Sequence, residues 1–396
     1  MRMAKLSRIL TISDMRKAAQ KRLPKVVFDY VDGAVEDELG VVRNTEALND
    51  IQVNPHYMIE VHKRDQVAPL FDHTFSHPFG IAPTGMSNIV WPDADACLAR
   101  AAKAANIPYC LSTVGSTSIE EIGRITGGDF WFQLYPQQDR SASQDLIRRA
   151  RDAGAWLLMV TVDVPLPAKR ERDIRNGFIV PPRVTPKMLL DGMRKPNWAI
   201  HYTLGRKPHL ASLTEYTSRG SPKNTKAAFM AVRRWRALGW EDLEWLRKAF
   251  DGPLLLKGIL SVRDAKKAVE HGVDGLVVSN HGGRQLDAAP ATIDVLPAMR
   301  DATGPDFPLI FDSGVRRGSH IAKALALGAN FVLVGRATLY GAGVAGQPGV
   351  ERSIEILADE IDRFQAQTGA PTYTDLRQLE IATPLGVETG NKSGSR

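Results

Sequence analysis

The chain has 396 residues, of which 43% are hydrophobic and 24% are charged, and its formal net charge is +7. Only two cysteines occur, Cys97 and Cys110, which excludes a disulfide framework or a zinc site and favours a reducing compartment. No apolar run reaches the ~20 residues that a membrane span needs, and residues 9–12 are too short for a signal segment. We therefore expect a cytoplasmic protein with a sizeable core.

Residues 1–75, at the start of the chain, read as helices and loops that pack outside the main body. Eight short apolar segments then follow, and they predict eight strands. Most are almost continuously apolar, as is typical of strands buried on both faces of a parallel sheet. The predicted strands are 79–82, 109–112, 130–135, 156–162, 254–257, 275–279, 308–312 and 331–335.

Helical patterns lie between most of these strands, as at 94–105, 143–153, 261–271 and 318–327. Eight repeats of strand and helix predict a closed (β/α)8 barrel, the TIM barrel, rather than an open sheet. After the last strand, apolar residues at helical spacing predict a helix over 350–367. We expect one domain over 1–380 and a flexible tail over 386–396.

The gap after the fourth strand is nearly one hundred residues long and contains a basic insertion at 175–236. This segment carries thirteen Lys and Arg residues against two acidic residues, Asp191 and Glu215. Such a surface can attract an anionic lipid or nucleic acid, whereas the simpler interpretation is a solvated loop. No nucleic-acid recognition fold accompanies it, so we expect no nucleic-acid partner and hypothesise contact with an anionic membrane.

The carboxyl ends of the strands predict the site, because in such a barrel they meet at one face. Each predicted strand ends on polar, charged or glycine residues. In chain order these are Pro83, Thr84 and Gly85; Ser112; Gln133 and Tyr135; Thr161 and Asp163; Lys257; Ser279, His281 and Arg284; Asp312, Gly314 and Arg316; and Gly335 and Arg336.

His281 and Arg284 form the most informative pair, three residues apart in a glycine-rich turn. Arginine suits a carboxylate, and histidine suits proton transfer near neutral pH. Asp163 is a candidate to orient the imidazole, although it could equally cap a helix. Lys257 ends an apolar strand, which is costly unless an anion meets it, and that anion could be a ligand or an internal partner such as Asp312.

The last two strand ends predict a phosphate site. Glycine turns that precede helices suit anions, and Arg316 and Arg336 offer bidentate charge. The pattern at 341–346 matches the dinucleotide fingerprint GxGxxG, but it does not directly follow a strand, so we dismiss it. Neither HExxH nor a Cys/His cluster occurs, and we expect no metal.

At 279–287 the sequence Ser-Asn-His-Gly-Gly-Arg-Gln-Leu-Asp resembles the FMN-dependent L-2-hydroxy-acid oxidising family, which includes glycolate oxidase, L-lactate dehydrogenase and (S)-mandelate dehydrogenase. Further segments fit the family in order, namely 23–30, 131–135, 161–163, 256–258, 312–318 and 325–329. The resemblance spans about residues 10 to 380. Residues 91–92 and 335–341 look most like the membrane-associated mandelate and lactate dehydrogenases.

This resemblance implies that FMN is the cofactor and that a lactate- or mandelate-like L-2-hydroxy acid becomes a 2-oxo acid. It implies that His281 takes the hydroxyl proton while hydride passes to flavin N5, that Asp163 stabilises the imidazolium, and that Lys257 stabilises the reduced flavin. The substrate carboxylate and hydroxyl would contact Tyr30, Tyr135, Arg170 and Arg284. The remaining predicted contacts of FMN are Pro83, Thr84, Gly85, Ser112, Gln133, Thr161, Ser279, Asp312, Gly314, Arg316, Gly335 and Arg336.

Some positions depart from common family patterns. Val114 stands where glycolate oxidase has a bulky aromatic residue, Gly85 follows the mandelate type, and 167–169 replace a stretch that contains glycine. We expect electrons to pass to a quinone or another carrier at the cytoplasmic face of the inner membrane, with a tetramer expected by analogy. The alternatives are an oxidase that forms hydrogen peroxide and a non-catalytic anion-binding protein.

Overall fold

A barrel of eight parallel strands forms the body of the protein. The computed structural model describes residues 6–178, 185–205, 209–213 and 235–382. The barrel strands are β3 (Phe79–Ile81), β4 (Cys110–Ser112), β5 (Phe130–Leu134), β6 (Ala155–Thr161), β7 (Leu254–Lys257), β8 (Gly275–Val278), β9 (Leu309–Phe311) and β10 (Phe331–Val334). From β4 to β10 each strand pairs in parallel with the next in chain order, and β10 pairs in parallel with β3.

The ring closes between its first two strands through a single parallel bridge from Ile81 to Tyr109, where the Ile81 amide donates to the Pro108 carbonyl at 2.8 Å. Nearly every strand residue is buried, because helices cover the outer face and side chains fill the inside. The prediction of a TIM barrel is confirmed, with each predicted strand within about two residues of its observed bounds.

Helices precede the barrel, lie between its strands and follow the last strand. They are α1 (Ile12–Arg22), α2 (Lys25–Asp32), α3 (Leu39–Asp50), α4 (Ala94–Ala104), α5 (Ile119–Thr126), α6 (Arg140–Asp152), α7 (Glu171–Arg175), α8 (Pro186–Met193), α9 (Pro196–Leu204), α10 (Asp242–Ala249), α11 (Val262–Glu270), α12 (Thr292–Thr303), α13 (Gly318–Ala326), α14 (Arg336–Ala345), α15 (Gln347–Thr368) and α16 (Tyr373–Arg377). Sequence signals explain several ends, as where the Ser261 hydroxyl caps α11 by accepting from the Asp264 amide.

An antiparallel hairpin, β1 (Ala68–Leu70) and β2 (His73–Phe75), precedes the barrel, although residues 1–75 had been predicted to hold helices and loops. Phe75 is buried and packs edge-on against Phe331, the first residue of β10, with 5.5 Å between ring centres. The hairpin therefore covers the amino ends of the strands and leaves the opposite face for a site.

The glycine pattern at 341–346 lies in and just after α14 and does not form a loop around a ligand. A Cβ at Gly341 would lie 2.5 Å from the Ser353 hydroxyl oxygen of α15, so the absent side chain permits close packing of two helices. The predicted tail at 386–396 lies outside the described residues, as does much of the basic insertion at 175–236. No helix in the described ranges is both long enough and apolar enough to cross a bilayer.

Candidate active site

A cavity of about 530 Å³ lies at the carboxyl ends of the strands, within the usual range of ligand pockets, roughly 300–1,000 Å³. All eight strand ends contribute to it, as the barrel geometry predicts. The predicted site residues that line it are Tyr30, Pro83, Thr84, Gly85, Ser112, Gln133, Tyr135, Thr161, Arg170, Lys257, His281, Arg284, Asp312, Gly314, Arg316, Gly335 and Arg336. Asp163 and Ser279 stand behind this wall and bind residues that form it.

His281 is held between a carboxylate and a phenol. Its Nδ1 lies 3.1 Å and 3.2 Å from the two Asp163 carboxylate oxygens, and its Nε2 lies 3.2 Å from the Tyr135 hydroxyl. The backbone of His281 is left-handed, with φ of 59°, an uncommon conformation for this residue type. The side chain is thus fixed with one ring nitrogen on Asp163 and the other toward Tyr135.

Charge balance keeps Asp163 ionised. Burial would raise the pKa of this carboxyl, but the neighbouring His281 and Lys257 hold the pKa below its ordinary value. Of the two contacts predicted for Asp163, with the imidazole or with the end of a helix, the structure contains the contact with the imidazole. A charged carboxylate there stabilises positive charge that develops on the ring.

Lys257 ends β7 inside the barrel and is buried. Its ammonium lies 3.0 Å from an Asp312 carboxylate oxygen and donates to the Ser279 hydroxyl at 2.7 Å. Burial opposes the charge, but Asp312 and Asp163 more than offset it and raise the pKa of Lys257. The internal ion pair is therefore present, and the same ammonium also lines the cavity.

Arg284 and Arg170 flank the ring of Tyr30. Each guanidinium carbon lies 5.3 Å from the ring centre, and Arg284 Nη1 also donates to the carbonyls of Tyr30 and Gly33. Burial, together with Arg170 and Arg336, lowers the pKa of Arg284 to about 9. Such crowding of positive charge favours an anionic ligand in this part of the cavity.

The turn after β9 is built for close approach of backbone. Ser313 and Gly314 both have φ of 85°, and a Cβ at Gly314 would lie 2.6 Å from the Asn44 carbonyl oxygen of α3. Arg316 from this turn lines the cavity. Exposed backbone amides in such turns suit an anion such as phosphate.

Arg336, at the start of α14, is buried and donates to the carbonyls of Val31, Gly282 and Gly33. Burial and the nearby Arg316 lower the pKa of Arg336 to about 10. These carbonyl bonds use three of its five N–H groups, so the guanidinium ties the N-terminal segment to the barrel and leaves two donors for a ligand.

One hydrogen-bonded row crosses three strands on the cavity floor. The Ser112 hydroxyl donates to the Gln133 side-chain oxygen at 2.8 Å, and the Gln133 amide donates to the Thr161 hydroxyl at 2.8 Å. All three residues are buried, so the row fixes the orientation of the Gln133 amide.

The departures from the family pattern fall on the cavity wall. Gly85 faces Val114, and a Cβ at Gly85 would lie 2.5 Å from a Val114 methyl carbon. Pro167, Ala168 and Lys169 also line the cavity, ahead of α7. Glycine at position 85 therefore permits the close approach of Val114.

Sequence reasoning missed two aromatic residues of the wall, Phe178 and Trp235. Phe178 packs against Tyr30 with 4.7 Å between ring centres, and Trp235 stacks on Tyr135 at 4.1 Å. Both belong to the long excursion after β6, where neither strand nor helix periodicity marks a residue as facing the site. The only sequence signal for either residue was that it is an isolated aromatic residue in a basic segment.

No group of three or more His, Cys, Asp or Glu side chains suited to a metal ion occurs within the described ranges. In the part of the chain that the structure describes, the cavity combines an imidazole with ammonium and guanidinium groups.

Comparison with known proteins gives a consistent result. Residues 19–383 match the family described as FMN-dependent dehydrogenase. An (S)-mandelate dehydrogenase of Pseudomonas putida is 41% identical over 93% of this chain and 92% of its own length, and an L-lactate dehydrogenase of Pseudomonas syringae pv. syringae is 37% identical over 94% and 98%. The crystal structure of the monotopic membrane protein (S)-mandelate dehydrogenase superposes with a TM-score of 0.89 at 41% identity, covering 95% of this chain and 100% of that one.

Proposed function

The chain belongs to the FMN-dependent dehydrogenase family, and from that premise we propose that it oxidises an L-(S)-2-hydroxy acid to the 2-oxo acid with His281 as proton acceptor. Membership makes it an FMN-dependent enzyme of the 2-hydroxy-acid dehydrogenase and oxidase class. The individual residue roles, the electron acceptor and the membrane contact are the proposed part.

The residues in the cavity fit FMN. The cofactor carries a phosphate, and the glycine turn at Gly314 lies beside Arg316 and Arg336, whose unused donors suit an anion. Lys257 adds a buried positive charge beside the hydroxyl of Ser279, where it would stabilise negative charge on the ring system. Ser112, Gln133 and Thr161 supply neutral donors and acceptors.

When bound, FMN supplies the acceptor for the hydride equivalent that leaves the substrate α-carbon. His281 removes the proton from the α-hydroxyl at Nε2, because a proton on Nδ1 that is donated to Asp163 leaves the ring's lone pair on Nε2. Asp163 stabilises the resulting imidazolium. Tyr135 positions the hydroxyl, since its own hydroxyl lies 3.2 Å from Nε2.

Arg284 and Arg170 bind the substrate carboxylate. Among the described residues, Arg284 bonds to carbonyls through Nη1. Its Nη2 and Nε donors can therefore bind a carboxylate, which a planar guanidinium suits. Tyr30 lies between the two guanidinium groups. Binding there would hold the acid by its charged end and present the α-carbon near His281.

The observation that carries this proposal is the Asp163–His281–Tyr135 arrangement beside a cavity that Arg284 and Arg336 also line. The test is anaerobic mixing of the flavin-loaded protein with (S)-mandelate and L-lactate, using the mirror-image acids as controls. We expect rapid loss of flavin absorbance with at least one S-acid and little with its R-counterpart. Equal reduction by both enantiomers, or by neither, would contradict the proposal.

We further propose that α8 and α9 rest on an anionic membrane and that electrons pass to a quinone or another carrier there. Several apolar residues of these two helices are exposed, with Met193 at 69% and Leu204 at 84%, and Arg194 and Lys195 lie between the helices. Apolar side chains beside basic ones suit the surface of an anionic bilayer. The similar crystal structure described as that of the monotopic membrane protein (S)-mandelate dehydrogenase supports this placement.

Flotation with vesicles that contain an anionic lipid tests the membrane contact. Met193→Glu with Leu204→Glu should abolish co-flotation, while Val269→Glu on α11, another exposed apolar position, should not. Unchanged flotation of the double variant would refute the contact. Hydrogen peroxide formed stoichiometrically in air would favour the oxidase alternative, and a tetramer remains a prediction for solution measurements.

A further inference from the structure

The backbone at Trp235 is fixed against the segment that follows β5. Trp235 forms an antiparallel bridge with Gln137, and the Arg236 amide donates to the Pro136 carbonyl at 2.9 Å. This pairing brings the last part of the long excursion back to the barrel rim. Position 235 is therefore set by main-chain hydrogen bonding to the barrel, which limits its freedom.

The side chain of Trp235 stacks almost parallel on Tyr135, with 4.1 Å between ring centres and 6° between the ring planes. Tyr135 is the residue whose hydroxyl lies 3.2 Å from His281 Nε2. The indole and the imidazole are thus both direct neighbours of one phenol ring. Trp235 lines the cavity at the place where the side chain of a substrate held at His281 can reach.

The indole nitrogen of Trp235 is buried without a hydrogen-bond partner in the part of the chain that the structure describes. A buried donor that lacks an acceptor is unfavourable. The nitrogen itself is shielded, so any contact of Trp235 with a ligand is made by its ring atoms.

Apolar side chains line the same cavity, among them Met86, Val114, Leu210 and Phe178. A methyl group, as in lactate, would contact little of such a wall. A flat aromatic ring would contact several of its members at once.

We infer that Trp235 is a specificity-determining residue that packs against the aromatic side chain of an aryl 2-hydroxy acid. The inference rests on the proposed oxidation of 2-hydroxy acids and names the substrate class of the same site. Aromatic rings attract one another in stacked and edge-on arrangements beyond the area they bury. Because Tyr135 already holds the indole in place, a substrate ring meets a preorganised surface.

The test compares kcat/KM for (S)-mandelate and L-lactate in Trp235→Leu and Trp235→Phe. In Trp235→Leu we expect the value for mandelate to fall at least about tenfold more than that for lactate. Trp235→Phe keeps an aromatic face, so its ratio of the two values should stay within about threefold of the wild type. Bound flavin, measured from absorbance, verifies that each variant is folded and loaded.

Trp240→Leu is the matched control, because Trp240 packs on His271 and Lys267 away from the cavity. In this variant the ratio of kcat/KM for (S)-mandelate to kcat/KM for L-lactate should equal that of the wild type. Equal losses for both acids in Trp235→Leu would show a merely structural role and overturn the inference, as would a Trp235→Phe ratio as low as that of Trp235→Leu. A wild type that oxidises neither acid would overturn the proposed function itself, and this inference with it.

Discussion

Two regions meet at the cavity and are held in different ways. The strand-end region, at the carboxyl ends of β7 to β9, joins Lys257, Ser279 and Asp312 by buried contacts of 2.7 Å and 3.0 Å. The excursion after β6 contributes Phe178 and Trp235 through ring packing at 4.7 Å and 4.1 Å.

Hydrogen bonds and ion pairs fix direction as well as distance, whereas ring faces tolerate exchange for other apolar groups. In the proposed function, the reaction therefore depends on the strand-end region. The choice of substrate side chain is proposed to depend on the excursion after β6, whose ring contacts tolerate exchange for other apolar groups.

The largest effect is expected for a substitution in the strand-end region. His281→Gln keeps similar volume but removes the base, so flavin reduction by the best S-acid should slow by roughly 10²–10⁴-fold. Flavin content should not change, because the phosphate turn and Lys257 are untouched. Stopped-flow absorbance under anaerobic conditions measures the rate, and rapid reduction in this variant would contradict the role of His281 as base.

A substitution at Asp95 tests whether the loops after β3 and β4 are held as firmly as the strand-end region. Its carboxylate accepts from the amides of Ser116 and Thr117 at 2.5 Å and 3.1 Å. Burial raises the pKa of Asp95 to about 6, against the hydrogen bonds to Ser87, Ser116 and Thr117. Because its pKa in the folded state exceeds that of an unfolded Asp, the folded state binds more protons, and the stabilisation present at low pH is lost as pH rises through about 6.

The free energy of unfolding of Asp95→Asn, relative to that of the wild type, should therefore be greater at about pH 8 than at about pH 4, by up to about 3 kcal/mol. Denaturant unfolding at the two pH values measures the change. Asp139→Asn, an exposed helix cap whose carboxyl pKa is lowered by its bonds to Ser141, is the control and should show no such gain. A constant difference for Asp95→Asn at both pH values would show that the carboxyl keeps its ordinary pKa.

Arg284→Lys lies where the two regions meet. A point charge replaces a planar fork, so the dissociation constant for the substrate acid should rise by about 10- to 100-fold. Titration of flavin absorbance with a non-reacting carboxylate gives the constant. Arg300→Lys, which also removes bonds from a guanidinium to several carbonyls but lies outside the cavity, should leave the constant unchanged, and an unchanged value for Arg284→Lys would exclude it from carboxylate binding.

The smallest effect is expected for a substitution in the excursion after β6. Phe178→Leu keeps an apolar contact with Tyr30, so KM should change by no more than about threefold and kcat should stay near that of the wild type. Steady-state kinetics with the best substrate measure both. A loss of kcat as large as that in His281→Gln would erase the distinction between the two regions.

The sequence was informative where periodic burial and barrel geometry act together. An apolar strand that ends on a polar residue identifies His281, Lys257 and Asp312 without knowledge of distant contacts, because every strand end faces the same side. The same reasoning could not choose between an ion pair and a ligand contact for Lys257, and the structure contains the ion pair in the cavity wall.

Positions 178 and 235 could not be predicted in this way. Their approach to the site depends on where a long irregular segment turns back, and Trp235 is placed by its bridge to Gln137. The hairpin at 68–75 was missed for a similar reason, since its strands have only three residues each and show too little alternation to be recognised.

The left-handed backbone at His281 has a consequence for laboratory evolution of this enzyme. A side chain at this position carries a conformational cost of order 1–2 kcal/mol, which glycine would relieve. Glycine would also remove the imidazole that contacts the ionised Asp163 carboxylate, and leaving that charge without its partner is destabilising. A library screened for stability without an activity filter should therefore retain histidine at position 281.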